Sequence, residues 1–145
     1  MRCRRGIYFN TCMENHVSKN TISKHDLDGV VLLSCYDFTI DENTFDSNKY
    51  FSINIPSGGR HEIYHNNFFN NSLESYAPES QCYDMGTSDW NSTMIMEGNY
   101  WDDFDEPGEG AFDTDSNGIV DSPYDVLPFT RNADLYPFMI PNGWI

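Results

Sequence analysis

Residues 6–12 read Gly-Ile-Tyr-Phe-Asn-Thr-Cys and residues 29–35 read Gly-Val-Val-Leu-Leu-Ser-Cys, an offset of 23 positions. The same offset carries Val17 onto Ile40 and Ile63, Asn20 onto Asn43 and Asn66, and Ile22 onto Phe45 and Phe68. Consecutive copies hold this register without an insertion. A fixed period in the twenties marks a solenoid, in which each repeat buries its apolar face only against its neighbours.

The content of one repeat says what kind of solenoid it is. Ile7 and Phe9, Val30 and Leu32, and Ile53 and Ile55 alternate with other residues, the period-2 pattern of strands with one buried face. Asn, Asp, Ser and Gly crowd the positions between these runs as turn formers, and no helical stripe is sustained. A leucine-rich repeat has a similar length, but its leucine spacing is missing and the interior residues are mostly Ile, Val and Phe. Short strands and tight turns in 23 residues suit one coil of a parallel β-helix.

Residues one period apart then stack about 4.8 Å from each other. Asn20, Asn43 and Asn66 can form a continuous amide ladder that satisfies backbone groups at a bend, and Phe45 and Phe68 form a core aromatic column. Cys12 and Cys35 also occupy equivalent positions. Their spacing lies within disulfide range, although in-register parallel neighbours give poor disulfide torsions; the alternative is a ladder of two small buried thiols. Cys3 and Cys82 have no assigned partner, and the four cysteines lack zinc-type spacing.

The repeats resemble those of NosD-like proteins, named for the periplasmic copper-binding accessory proteins of nitrous oxide reductase. The closing segment is similar as well. Tyr83-Asp84-Met85-Gly86, Trp90-Asn91 and Gly98-Asn99-Tyr100-Trp101-Asp102-Asp103-Phe104 look like the family's YDxG, W and GNYWxDY stretches. Residues 113–124 look like its DxDxDGIGDxPY, and residues 134–139 like its D-x-YPLM ending. This resemblance implies an all-β, right-handed parallel β-helix, a periplasmic setting and a copper role. A fold shared by proteins with many jobs does not by itself decide the function.

A single domain suits 145 residues: coils over residues 1–98 and, where the period is lost, an irregular C-terminal cap over residues 99–145. Met1-Arg2-Cys3-Arg4-Arg5 leads straight into the first strand. The first coil's edge is therefore expected to be covered by a longer solenoid or by self-association. The net charge of −15 disfavours nucleic acid and anionic membranes and suits cations and an extracellular or cell-surface location. No apolar run suits membrane insertion, and residues 1–15 show no signal-peptide core.

Three chemistries compete for the sites. Asp113, Asp115, Asn117 and Asp121 fall at positions 1, 3, 5 and 9 of an EF-hand-like calcium loop, with Gly118 at position 6 and the Ile119 carbonyl at 7. Tyr124 replaces the bidentate Glu, so Asp125 or Asp134 would have to supply the missing oxygen; the alternative is an acidic turn without an ion. Calcium would lock the cap. Copper would use His, Met or Cys, but His16, His25, His61 and His65 occupy non-equivalent repeat positions. Catalysis on a polysaccharide would use outward columns. Glu14, Asp37 and Arg60 form one, and His16, Thr39 and Glu62 another, with Asp41 and Tyr64 beside them. An ordinary charged face neutralised by Arg60 competes with that reading, as does a sugar-binding face with Tyr36, Tyr50 and Tyr64 as stacking platforms. The overall expectation is a non-catalytic surface module, with copper handling and polysaccharide binding or cleavage as alternatives.

Overall fold

Alternating apolar residues set the first strands: β1 (Ile7–Asn10), β2 (His16–Ser18) and β3 (Thr21–Ser23). The set recurs as β4 (Val30–Tyr36), β5 (Thr39–Asp41) and β6 (Thr44–Asp46), then as β7 (Ile53–Gly59), β8 (Glu62–Tyr64) and β9 (Asn67–Phe69). The computed structural model describes residues 3–77, 79–128 and 132–145. Pairing is parallel between successive sets: Ile7 opposes Val30, Val17 opposes Ile40, Ile40 opposes Ile63, and Phe45 opposes Phe68. Two further strands, β10 (Cys82–Asp84) and β11 (Tyr100–Trp101), extend the order to β1-β4-β7-β10, β2-β5-β8 and β3-β6-β9-β11. The chain is thus all-β, with parallel sheets wound in a β-helix-like way.

Between strands the chain turns through left-handed corners that non-glycine residues rarely adopt. They recur at the repeat spacing: Glu14, Asp37 and Arg60; Lys19, Glu42 and His65; Lys24, Ser47 and Asn70, with φ between 50° and 60° throughout. Side-chain ladders compensate. Asn20 N–H donates to Asn43 Oδ1, Asn43 N–H to Asn66 Oδ1 and Asn66 N–H to Asn99 Oδ1, each at 3.0 Å. The amide nitrogens of Asn43, Asn66 and Asn99 donate to the carbonyls of Val17, Ile40 and Ile63. A second ladder at the next corner joins His25 N–H to Asn48, Asn48 to Asn71, and Asn71 to Gln81.

The interior is a set of stacked columns. Phe45 lies 5.1 Å from Phe68, Phe68 lies 4.2 Å from Trp101, and Trp101 lies 4.0 Å from Tyr124, all nearly coplanar. Such offset aromatic contacts add to the burial of large rings. After Trp101 the parallel register gives way to irregular long-range contacts. Tyr124 and Asp125 form β12, which pairs antiparallel with β13 (Ala133–Asp134), and Ile119 pairs with Phe138. At the opposite end β1, β2 and β3 are the outer strands of their sheets.

Candidate functional site

The outward column at the first corner is organised by one ion pair. Arg60 donates from Nε and Nη2 to the two carboxylate oxygens of Asp37, at 2.8 and 2.6 Å, while its guanidinium sits 5.1 Å from the Tyr36 ring centroid. These hydrogen bonds hold the Asp37 carboxyl below its usual range and raise Arg60. Glu14, Asp37 and Arg60 stand on left-handed corners rather than within a strand. In the adjoining column His16 Nε2 lies 2.6 Å from Asp41 Oδ1, and Glu62 is exposed.

Beside this column lies an open cleft of about 690 Å³ lined by Arg60, His61, Glu62, Thr87, Ser88 and Asp89, with Asn132 at its edge. His61 is 1% exposed. Its Nδ1 accepts the Phe38 N–H at 3.2 Å, so the neutral ring carries its proton on Nε2. Burial holds its pKa below the ordinary histidine value and favours that neutral form. Among the described residues, neither Nε2 nor the nearby Ser88 Oγ has a hydrogen-bond partner.

The acidic loop at residues 113–121 is closed by its own hydrogen bonds. Asp113 accepts the N–H groups of Asn117 and Gly118, at 3.1 and 2.8 Å. Asp115 accepts from Asn117, and Asp121 accepts the Thr114 N–H and hydroxyl, which lowers the Asp121 pKa. Gly118 takes φ 87°, the turn its type permits, and Ile119 N–H donates to Asn117 Oδ1. Asp134 does not join the loop. It lies buried, accepting from Asn99 N–H at 2.7 Å, Trp101 Nε1 at 2.9 Å and Tyr136 N–H at 3.0 Å. Among the described residues no group of three or more His, Cys, Asp or Glu side chains is placed to hold a metal ion. The calcium expectation therefore finds no support in this geometry.

An acidic cluster at the start of the C-terminal segment, with Asp102 half-buried and Asp103 exposed, carried no repeat signal. Gln81 Nε2 donates to Asp102 Oδ1 at 2.7 Å and to Asp103 Oδ1 at 2.8 Å, and the Tyr124 hydroxyl donates to Asp103 Oδ2. Desolvation raises the pKa of both acids.

For a soft metal the histidines are badly placed. His16 and His65 commit Nε2 to Asp41 and Glu97, each at 2.6 Å, and His61 uses Nδ1 on the backbone. Cysteine fits better. Asn10 opposes Leu33 and Met13 opposes Tyr36, so Cys12 opposes Cys35 between them. Both are free thiols in one conformation, each bonded to the carbonyl two residues before it, Asn10 at 3.5 Å and Leu33 at 3.4 Å. Cys35 is buried and Cys12 half-buried against the core.

The chain matches a family described as periplasmic copper-binding protein (NosD), over residues 1–106. No curated protein and no solved structure matches the chain.

Proposed function

We propose, for a chain that belongs to the NosD family, that it serves outside the cytoplasm as a non-catalytic binding module. In this reading it is a right-handed parallel β-helix of 23-residue coils over residues 1–98, closed by a cap over residues 99–145. The observation that carries the non-catalytic reading is the bidentate Arg60–Asp37 pair. Glycoside hydrolysis needs two carboxyl groups free to act as acid and as base or nucleophile. Here the guanidinium occupies both oxygens of the central acid of the column and holds it ionised. The Arg60–Glu62 rim, the Tyr36 ring and the cleft beside them suit a polyhydroxylated ligand, which can both accept from Arg60 and donate to Glu62. The outer edges of β1, β2 and β3 serve to attach further coils, from a longer solenoid or from a second copy.

The test is incubation with neutral and acidic polysaccharides, followed by both binding isotherms and assay of released chain ends. The reading expects saturable binding weakened by Arg60→Ala and Glu62→Ala, without new chain ends. Release of ends that stops in Asp37→Asn would make the protein an enzyme and overturn it.

Copper handling is the second reading, favoured by the family match and by the adjacent free thiols of Cys12 and Cys35.

A further inference from the structure

We propose that Cys12 and Cys35 form a two-coordinate site for a soft monovalent cation, Cu(I), held between neighbouring coils. The inference rests on the copper-handling reading and gives that reading its ligands.

The geometry comes from the parallel register. Equivalent residues on paired strands lie about 4.8 Å apart, and these two side chains point the same way, each thiol reaching back to the carbonyl two residues earlier. A disulfide would have to bring the Cβ atoms to about 3.8 Å and the sulfurs to about 2.05 Å. A closed-shell d10 ion such as zinc takes thiolate at about 2.3 Å, so two opposed thiolates of that length span about 4.6 Å. Because the two side chains run parallel, they suit an inserted ion better than the torsion that a direct sulfur–sulfur bond needs. Soft thiolate ligands select Cu(I) over the hard divalent cations.

The surroundings agree with this. The column ends at Gly58, which opposes Cys35 on β7 and brings no further side chain. Cys12 is half-buried and gives the ion a way in, while Cys35 is sealed. The two thiols also interact directly, and burial raises the Cys35 thiol. Loading is balanced without a redox step: two thiols and one Cu(I) give a bis-thiolate complex of charge −1 and two protons released to solvent. Residues 1–24 carry five Lys or Arg side chains against the single acid Glu14, in a chain otherwise rich in acid, which favours an anionic complex at this end. Cys82 is not a competitor for the site, since its sulfur lies 3.0 Å from Ser52 Oγ in the interior of another coil.

The experiment uses the full chain with Cys3→Ser to remove the exposed thiol, reduced and anaerobic, with Cu(I) supplied in competition with a chromophoric chelator. Native mass spectrometry counts the ions, X-ray absorption reads the ligand atoms, and iodoacetamide reports on Cys12. The expected result is one Cu(I) per chain with two sulfur neighbours, protection of Cys12 from alkylation, and at least a hundredfold loss of affinity in Cys12→Ser. Cys82→Ser should bind as the parent does. Because Cys12 lies at the half-exposed end of the column, Cys12→Ser should keep the parental circular dichroism; Cys35→Ala serves as the second variant. Copper bound without loss in Cys12→Ser refutes the site and leaves copper handling standing. A chain that takes no copper from the competitor refutes both.

Discussion

Asp134→Asn should flatten the dependence of stability on pH. Asp134 is fully buried, and desolvation pushes its pKa up to about 7 from an ordinary 3.8, against the pull of its N–H donors. A raised carboxyl pKa means that the folded state keeps a proton which the unfolded state has released. Its stabilising contribution is therefore complete below pH 3.8 and is lost as pH rises through 7. At about 1.36 kcal/mol per pKa unit the full span is about 4 kcal/mol, of which about 3 kcal/mol falls between pH 5 and pH 8. Asp28, Asp102 and Asp103, also raised by burial, add in the same direction. His61 opposes them: its lowered pKa leaves the unfolded state binding the extra proton, so its contribution is lost as pH falls below 6.5. Urea unfolding at pH 5, 6, 7 and 8, followed by tryptophan fluorescence from the buried Trp90 and Trp101, measures the slope. The wild type should lose stability steadily from pH 5 to 8, and Asp134→Asn should lose most of that slope. A wild-type profile flat over that range, or a variant with the wild-type slope, would show that Asp134 is already ionised at pH 5 and would refute the reasoning.

Asn43→Ala should cost about 2–4 kcal/mol in urea unfolding, because it leaves the buried Val17 carbonyl and the half-buried Asn20 N–H without their partner. Asn20→Ala, at the exposed end of the same ladder, should cost distinctly less. Arg60→Ala should release the Asp37 carboxyl upward toward its ordinary pKa, read by NMR titration of its side-chain carbon, with the fold unchanged. Gly98→Ala should displace Asp134, since a Cβ there would stand 1.8 Å from Asp134 Oδ1; its loss of stability should be largest at low pH, where the Asp134 contribution is largest. Thermal melts in calcium and in chelator should coincide, because the carboxylates at residues 113–121 already serve their own loop; a melting point raised by calcium would restore the ion.

The repeats were legible because one physical rule governs each of their positions. Val17, Ile40 and Ile63 must be apolar for the same reason, and so the period survives in the letters. The Asn20–Asn43–Asn66 ladder was readable on that basis and is present. Its neighbour at Asn48 and Asn71 went unnoticed because it begins at His25 and ends at Gln81, two residues that break the visible pattern. The end segment was much less open to reading. Its pairings follow no fixed separation, 10 positions for Tyr124 and Asp134, 19 for Ile119 and Phe138 and 75 for Asn67 and Asn142, and no periodicity marks such partners. The acidic loop illustrates the limit on site reading: alternate Asp and Asn residues serve an ion or the N–H groups of their own turn equally well, and here they serve the turn.

Both ladders face one problem at their lower end, and both meet it with a carboxyl group. Inside a ladder each amide accepts from the backbone of the coil above and donates to a carbonyl, so every member needs both functions. The last member has no further coil below it, and its own N–H groups need an acceptor that brings no donor with it. A carboxyl group offers such an oxygen; another amide would bring a further NH2 that itself needs an acceptor. Asn99 ends the first ladder by donating its backbone and side-chain N–H groups to Asp134, which also takes the Trp101 indole. Gln81 ends the second by donating Nε2 to Asp102 and Asp103. At the third corner His61 takes the Phe38 N–H and is followed by Ser88, whose hydroxyl has no partner among the described residues, and it is the corner beside which the cleft opens. Asp102, Asp103 and Asp134 are therefore best understood as terminators of a repeating hydrogen-bond pattern. On that view the pH sensitivity expected of Asp134 follows from ending a solenoid rather than from catalysis.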